Sequence, residues 1–150
     1  MHIYLGADHA GYEMKEALQA WLKETTDHSV IDLGTFSTDP VDYPVIGREV
    51  AEKVFENEGS RGILVCGSGE GMCMAANKMR NVRAALADTP ERAKASREHN
   101  DANIVCLGSR FTDLETAKKI VETFLTTEFS TEERHQKRVD MIDGNVGIET

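Results

Sequence analysis

The sequence predicts an α/β protein with a Rossmann-like three-layer α/β/α fold, a five-stranded parallel sheet and an extra C-terminal helix. Three observations carry that prediction. Short apolar segments alternate with amphipathic helical patterns along the chain, which implies right-handed crossovers and a sheet covered on both faces. The run Ile63-Leu64-Val65-Cys66 is apolar at every position, as a central strand of such a sheet must be. A length of 150 residues suits one domain whose core needs no disulfide, so residues 1–150 are read as a single domain.

The elements follow in order. Ile3-Tyr4-Leu5 reads as the first strand, and Tyr12 to Lys23 as a helix with Met14, Leu18, Trp21 and Leu22 on one face. Val30 to Leu33 is the second strand. After a loop from Gly34 to Tyr43, Pro44 suits the first turn of the next helix, where its missing N–H costs nothing. Val50 and Val54 form that helix's inner face. The third strand turns through Gly67-Ser68-Gly69-Glu70-Gly71 into a short helix from Met72 to Lys78. Val82 to Ala87 is the fourth strand, and Thr89-Pro90 caps and starts the helix after it. Asn103 to Leu107 is the fifth strand. Thr112-Asp113-Leu114-Glu115 reads as a capping box for a helix burying Leu114, Ala117, Ile120, Val121 and Phe124. A second box, Ser130-Thr131-Glu132-Glu133, opens a terminal helix to about Asp143.

Composition narrows the partners. Seventeen basic against 26 acidic side chains give a net charge of −9, which disfavours nucleic acid and anionic membrane. No apolar run is long enough to span a bilayer, and the N-terminus lacks the basic and apolar regions of a signal peptide. Three cysteines without a CxxC pair fit a reducing cytoplasm. The cysteines and five histidines have no paired ligand spacing, so no metal is expected. An anionic small molecule would have to be held by a local cluster, against the field of the whole protein.

In parallel sheets of this kind ligands bind outside the carboxyl ends of the strands. Asp8 and His9 follow strand one, Cys66 to Gly71 follow strand three, Asp88 follows strand four, and Gly108-Ser109-Arg110 follow strand five. The glycine loop lets backbone approach a ligand, and the helix behind it aims free N–H groups at an anion. Its GxGxG spacing meets neither a dinucleotide nor a nucleoside-triphosphate fingerprint. Cys66 ends its strand at a helix N-terminus, a position that favours thiolates, and reads either as nucleophile or general base, with Ser68 in reach of the sulfur, or as a buried structural cysteine at a strand end. Cys73 and Cys106 read as structural.

His99-Asn100 ends the helix that returns to the start of strand five, the sheet edge opposite Cys66. The pair is either a helix C-terminal cap or a contribution to a neighbouring subunit's site. Arg134 and Arg138 stand i, i+4, a like-charge spacing that costs about 0.2–0.5 kcal/mol unless an anion relieves it. They read as a phosphate clamp, or as a solvated face paired with Glu132 and Glu133.

Several segments together carry a family resemblance: Gly6-Ala7-Asp8-His9-Ala10-Gly11, Asp42-Tyr43-Pro44, Cys66-Gly67-Ser68-Gly69 with Gly71, and Ala75-Ala76-Asn77-Lys78. Arg97-Glu98-His99-Asn100, Gly108-Ser109-Arg110 and Arg134-His135-Gln136-Lys137-Arg138 complete the set. Over residues 2–142 the chain resembles the type B ribose-5-phosphate isomerases, a pattern largely shared with galactose-6-phosphate and allose-6-phosphate isomerases. Some members have a glutamate base at the position of Met72 and lack the strand-end cysteine; this chain is similar to the cysteine branch.

The resemblance implies reversible conversion of ribose 5-phosphate to ribulose 5-phosphate, in the pentose phosphate pathway, without metal or organic cofactor. It implies that Cys66 moves the proton between C1 and C2 with Ser68 supporting its thiolate, and that His99, aided by Asp8, opens the furanose ring. The amides of Gly67, Ser68, Gly69, Glu70 and Gly71 would stabilise an enediolate. His9, Arg134 and Arg138 would hold the phosphate, and Tyr43, Asn100 and Arg110 would line the site. Because His99 falls at the far sheet edge, the chain is expected to form a homodimer, with a tetramer also open, whose sites are shared between subunits. Two rival readings stay open: an isomerase of allose or galactose 6-phosphate, and a non-catalytic nucleotide-binding module that needs no thiol.

Overall fold

Alternation of side chains along the central strands decides how the layers stack. The computed structural model describes residues 1–144. Its elements are β1 (His2–Ala7), α1 (Tyr12–Thr25), β2 (Ser29–Asp32), α2 (Tyr43–Glu56), β3 (Arg61–Cys66) and α3 (Glu70–Ala76). They continue as β4 (Ala84–Leu86), α4 (Pro90–Asn100), β5 (Ile104–Gly108), α5 (Leu114–Thr126) and α6 (Glu133–Ile142). The single domain expected over residues 1–150 is thus described as far as Gly144; residues 145–150 lie outside the described part.

Ile3, Leu5, Ile63, Val65, Val105 and Leu107 point to one face of the sheet, where Leu18 and Leu22 of α1 and Ile120, Val121 and Phe124 of α5 cover them. Tyr4, Leu64, Cys66, Ile104 and Cys106 point to the other, under Ile46, Val50 and Val54 of α2 and Met72 and Ala76 of α3. Each fully buried Leu, Ile, Val or Phe contributes about 1.5–3 kcal/mol, and strands buried on both faces have no polar alternation to keep.

All pairings are parallel, and the strand order is β2-β1-β3-β5-β4. The chain winds one way from β1 to β2 and the other way from β1 to β3, so the carboxyl ends of β1 and β3 flank a switch point. Register aligns those ends, with Ala7 opposite Val65 and Cys66 opposite Gly108.

Several boundaries differ from those read in the sequence. β4 is shorter than Val82–Ala87, because the side chain of Asn103 takes over, accepting Arg83 N–H at 2.8 Å and donating to Asn81 O at 2.9 Å. That use of Asn103 also delays β5 to Ile104. α3 runs two residues earlier than Met72–Lys78, from Glu70 to Ala76. Thr89 caps α4 as expected, accepting Arg92 N–H at 3.2 Å. At α5 the cap is Asp113, not Thr112, since Thr112 is buried and Asp113 accepts Thr116 N–H at 2.9 Å. The second box does not form, because Ser130 Oγ is 2.7 Å from His135 Nδ1 and α6 starts without a side-chain cap.

Candidate active site

At the switch point the turns after β1, β3 and β5 enclose a cleft of about 410 Å³. Three hydrogen bonds fuse these turns. Ser109 N–H reaches Cys66 O at 2.9 Å, Arg110 N–H reaches Gly67 O at 3.0 Å, and Ser109 Oγ donates to Ala10 O at 2.8 Å. Asp8, buried to 6% exposure, accepts Gly11 N–H at 3.0 Å and so closes the turn into α1. His9 Nδ1 accepts Val41 N–H at 3.2 Å, which leaves its hydrogen on Nε2.

Cys66 forms the floor of the cleft, 4% exposed, and its Sγ accepts the N–H of Gly69 at 3.1 Å. A thiolate accepts such a bond more strongly than a thiol does. The turn depends on Gly69, whose φ of +81° swings its N–H back under the strand end. The sulfur's partner is therefore this amide. Ser68, expected there, instead accepts Glu70 N–H at 3.3 Å and lines the cleft, its hydroxyl hydrogen free to donate. Of the five loop amides, those of Gly69 and Glu70 are thus engaged internally. Those of Gly67, Ser68 and Gly71 have no protein partner among the described residues.

The ring of Tyr43, at the start of α2, packs where a side chain on Gly71 would stand, within 2.5 Å of a Cβ built there. Arg110 lies over Gly67 at the other rim, and Glu70 contributes an exposed carboxylate. Met74, 65% exposed, also lines the cleft and was missed in the sequence. Its spacing from Glu70 and Gly71 on one helical face was the available signal.

Other predicted residues stand elsewhere in the chain. His99 and Asn100 end α4, both exposed; the ring of His99 stacks on His135 of α6 with centroids 4.8 Å apart. Asn100 lines a separate groove with Asn77 and Ser96. Arg134 pairs with Glu132 at 2.8 Å, and Arg138 is exposed on the same helix. Buried Arg97 fixes this end of α4, bonding to Ala102 O at 2.6 Å, Asp101 at 2.7 Å and Thr127 O at 3.1 Å. None of His99, Asn100, Arg134 and Arg138 lines the Cys66 cleft.

The remaining thiols lie outside the cleft. Burial pushes that of Cys106 well above the ordinary thiol range, while Cys73 is held below it, chiefly by its hydrogen bond with Cys106. A larger cavity of about 530 Å³ lies at the amino ends of the strands, but Arg83 there is saturated by Asp101 and Asp143, and no strand-end nucleophile reaches it. Among the described residues no cluster of three His, Cys, Asp or Glu side chains could hold a metal, and no helix is long and apolar enough to cross a membrane.

Comparison with known proteins bears on this cleft. The family model described as Ribose/Galactose Isomerase matches residues 3–142. The ribose-5-phosphate isomerase B of Mycobacterium leprae is 43% identical over 143 residues, 95% of this chain and 88% of that protein. That of Escherichia coli is 42% identical over 140 residues, 93% of each. Among solved structures, the ribose-5-phosphate isomerase B of Clostridium thermocellum superposes with a TM-score of 0.93 at 45% identity, covering 97% of both chains. The enzyme of that name from Mycoplasma genitalium, solved with bound ribulose-5-phosphate, gives 0.91 at 40% identity over 96% of this chain and 95% of that one.

Proposed function

Because the chain belongs to the ribose/galactose isomerase family, we propose that it interconverts ribose 5-phosphate and ribulose 5-phosphate in the cleft above Cys66. One observation carries the mechanism: a cysteine sulfur on the cleft floor, held by the Gly69 amide, beneath unengaged N–H groups of the same loop. The Cys66 thiolate takes the proton from C2 of the open-chain aldose, and the electron pair moves onto the carbonyl oxygen. The resulting enediolate is met by the amides of Gly67, Ser68 and Gly71; one such preorganised donor is typically worth about 2.7–4 kcal/mol. Return of the proton to C1, with a proton moved between the two oxygens, gives the ketose. No redox partner is needed, because the electrons stay within the sugar.

His9, with hydrogen on Nε2, holds the phosphate at the cleft wall, and binding energy spent there orients the reacting carbons. Tyr43 and Arg110 line the rims, and Asp8 assists ring opening. His99, Asn100, Arg134 and Arg138 belong to this site through a second subunit, whose α4–α6 face closes the cleft of its neighbour. The active unit is accordingly a homodimer with shared sites. Its three reduced cysteines suit the cytoplasm, where the reaction belongs to the pentose phosphate pathway. The test is turnover of ribose 5-phosphate in deuterated water, with deuterium expected at the migrating position. Specificity constants for pentose and hexose phosphates decide the sugar; equal or better turnover of allose or galactose 6-phosphate would overturn the pentose assignment.

A further inference from the structure

Lys15 has no place in the mechanism above, yet it is the most completely buried cation in the molecule. Its side chain is 0% exposed, with Nζ 2.5 Å from Asp32 and 2.7 Å from Glu16, and 5.5 Å from the ring centroids of Tyr12 and Phe36. A buried ion pair is weak support for stability, because desolvation offsets most of the attraction. An apolar side chain would serve the core better, so the position asks for another explanation.

The contacts supply one. Asp32 uses its second oxygen, Oδ1, to accept Gly34 N–H at 2.9 Å. Gly34 O in turn accepts Ala7 N–H at 2.7 Å, and Thr35 N–H donates to Ala7 O at 2.7 Å. The segment after β2 is thereby clamped to the residue just before Asp8. It then runs to Val41, whose N–H fixes the His9 ring, and to Tyr43 at the rim. From its other side, Lys15 N–H donates to Gly11 O at 2.9 Å, and Gly11 N–H donates to Asp8. One residue thus joins the turn that carries Asp8 to the loop that orients His9.

The geometry assigns Lys15, acting through Asp32, as a positioning residue that sets the His9 wall of the cleft and with it affinity for the phosphate end of the substrate. This inference rests on the isomerase reading of the cleft. Loosening the 33–42 loop frees His9 to change tautomer or swing away, which weakens binding while leaving the Cys66 floor untouched. Lys15→Met leaves Asp32 buried without its cation, so the double variant Lys15→Met/Asp32→Asn is made beside it to remove the charge altogether.

Both variants are expected to raise KM about tenfold with kcat within about twofold. The dissociation constant for inorganic phosphate, read by calorimetry, rises in parallel, and the nitrogen NMR shifts of the His9 ring move toward a tautomer mixture. A lowered melting temperature with unchanged KM, unchanged phosphate affinity and unchanged His9 shifts would make Lys15 merely structural and overturn the assignment. Should wild-type protein fail to turn over ribose 5-phosphate, the isomerase reading falls, while phosphate affinity and His9 shifts still decide the case of Lys15.

Discussion

Asp8, His9, Cys66 and Arg110 stand at strand ends or on the turns that leave them, whereas His99, Arg134 and Arg138 ride on the exposed faces of two helices. The first group is held by backbone hydrogen bonds between neighbouring turns, down to the single amide beneath the Cys66 sulfur. The second is held at its base only, by buried Arg97 and by the His99–His135 stack, and its charges face outward. On the proposed mechanism, the proton acceptor, which must be fixed to within a fraction of an ångström, falls on the rigid part. The groups proposed to grip a phosphate or assist ring opening would tolerate a helix face if another copy of the chain supplied the surface against which they act. The difference teaches that, on the proposed reading, one chain would carry two half-sites of unlike stiffness.

The largest expected effect falls on the rigid half. If Cys66 is the proton acceptor as proposed, Cys66→Ala should lower kcat about 10³-fold or more, the scale of losing a positioned base. Substrate dissociation constants should stay within about threefold, since phosphate binding lies elsewhere. Isotope exchange between substrate and solvent reads the first quantity and calorimetry the second. Retained exchange would mean that the sulfur is a bystander and that another group of the cleft moves the proton.

The second effect crosses from one half to the other. His99→Asn should slow turnover of the cyclic sugar about 10²-fold. If the halves come from different subunits, denaturing and refolding an equal mixture of the Cys66→Ala and His99→Asn proteins creates heterodimers with one intact site in two. Half of the dimers are then hybrids, so about a quarter of wild-type activity returns. Activity no greater than the average of the two parent variants would place both residues in one protomer's site and dissolve the comparison.

How much of this was legible in the sequence follows the same division. The strand-end half could be read because apolar runs mark the strands and parallel topology sends their reactive ends to one edge. Asp8, Cys66 and Arg110 were placed by that rule alone, and the separation of His99 from them by its converse. What hydrogen-bond geometry decides was not legible. A glycine at positive φ turned its own amide to the Cys66 sulfur, a contact that no residue pattern announces. Asp113 rather than Thr112 took the α5 cap because Thr112 was drawn into the core. The Lys15–Asp32 pair, 17 residues apart, left no local signal, since a lysine on a helix ordinarily reads as solvated.

The smallest effect tests where the helical half is anchored. Thr89 caps the start of α4, ten residues before His99, and accepts Arg92 N–H. Thr89→Ala removes that acceptor and should cost about 1 kcal/mol of stability, the usual worth of a helix N-cap. For a domain of this size the melting temperature should fall about 2–4 °C. Yet His99 hangs from the other end of the helix, where Arg97 ties the last turn to Ala102, Asp101 and Thr127 independently of the cap. Fraying at the first turn therefore does not reach it, and kcat and KM should both stay within about twofold of wild type below the melting transition. A kcat loss approaching that of His99→Asn would show that α4 moves as one rigid rod. The anchor at Arg97 would then not be what fixes the second half of the site.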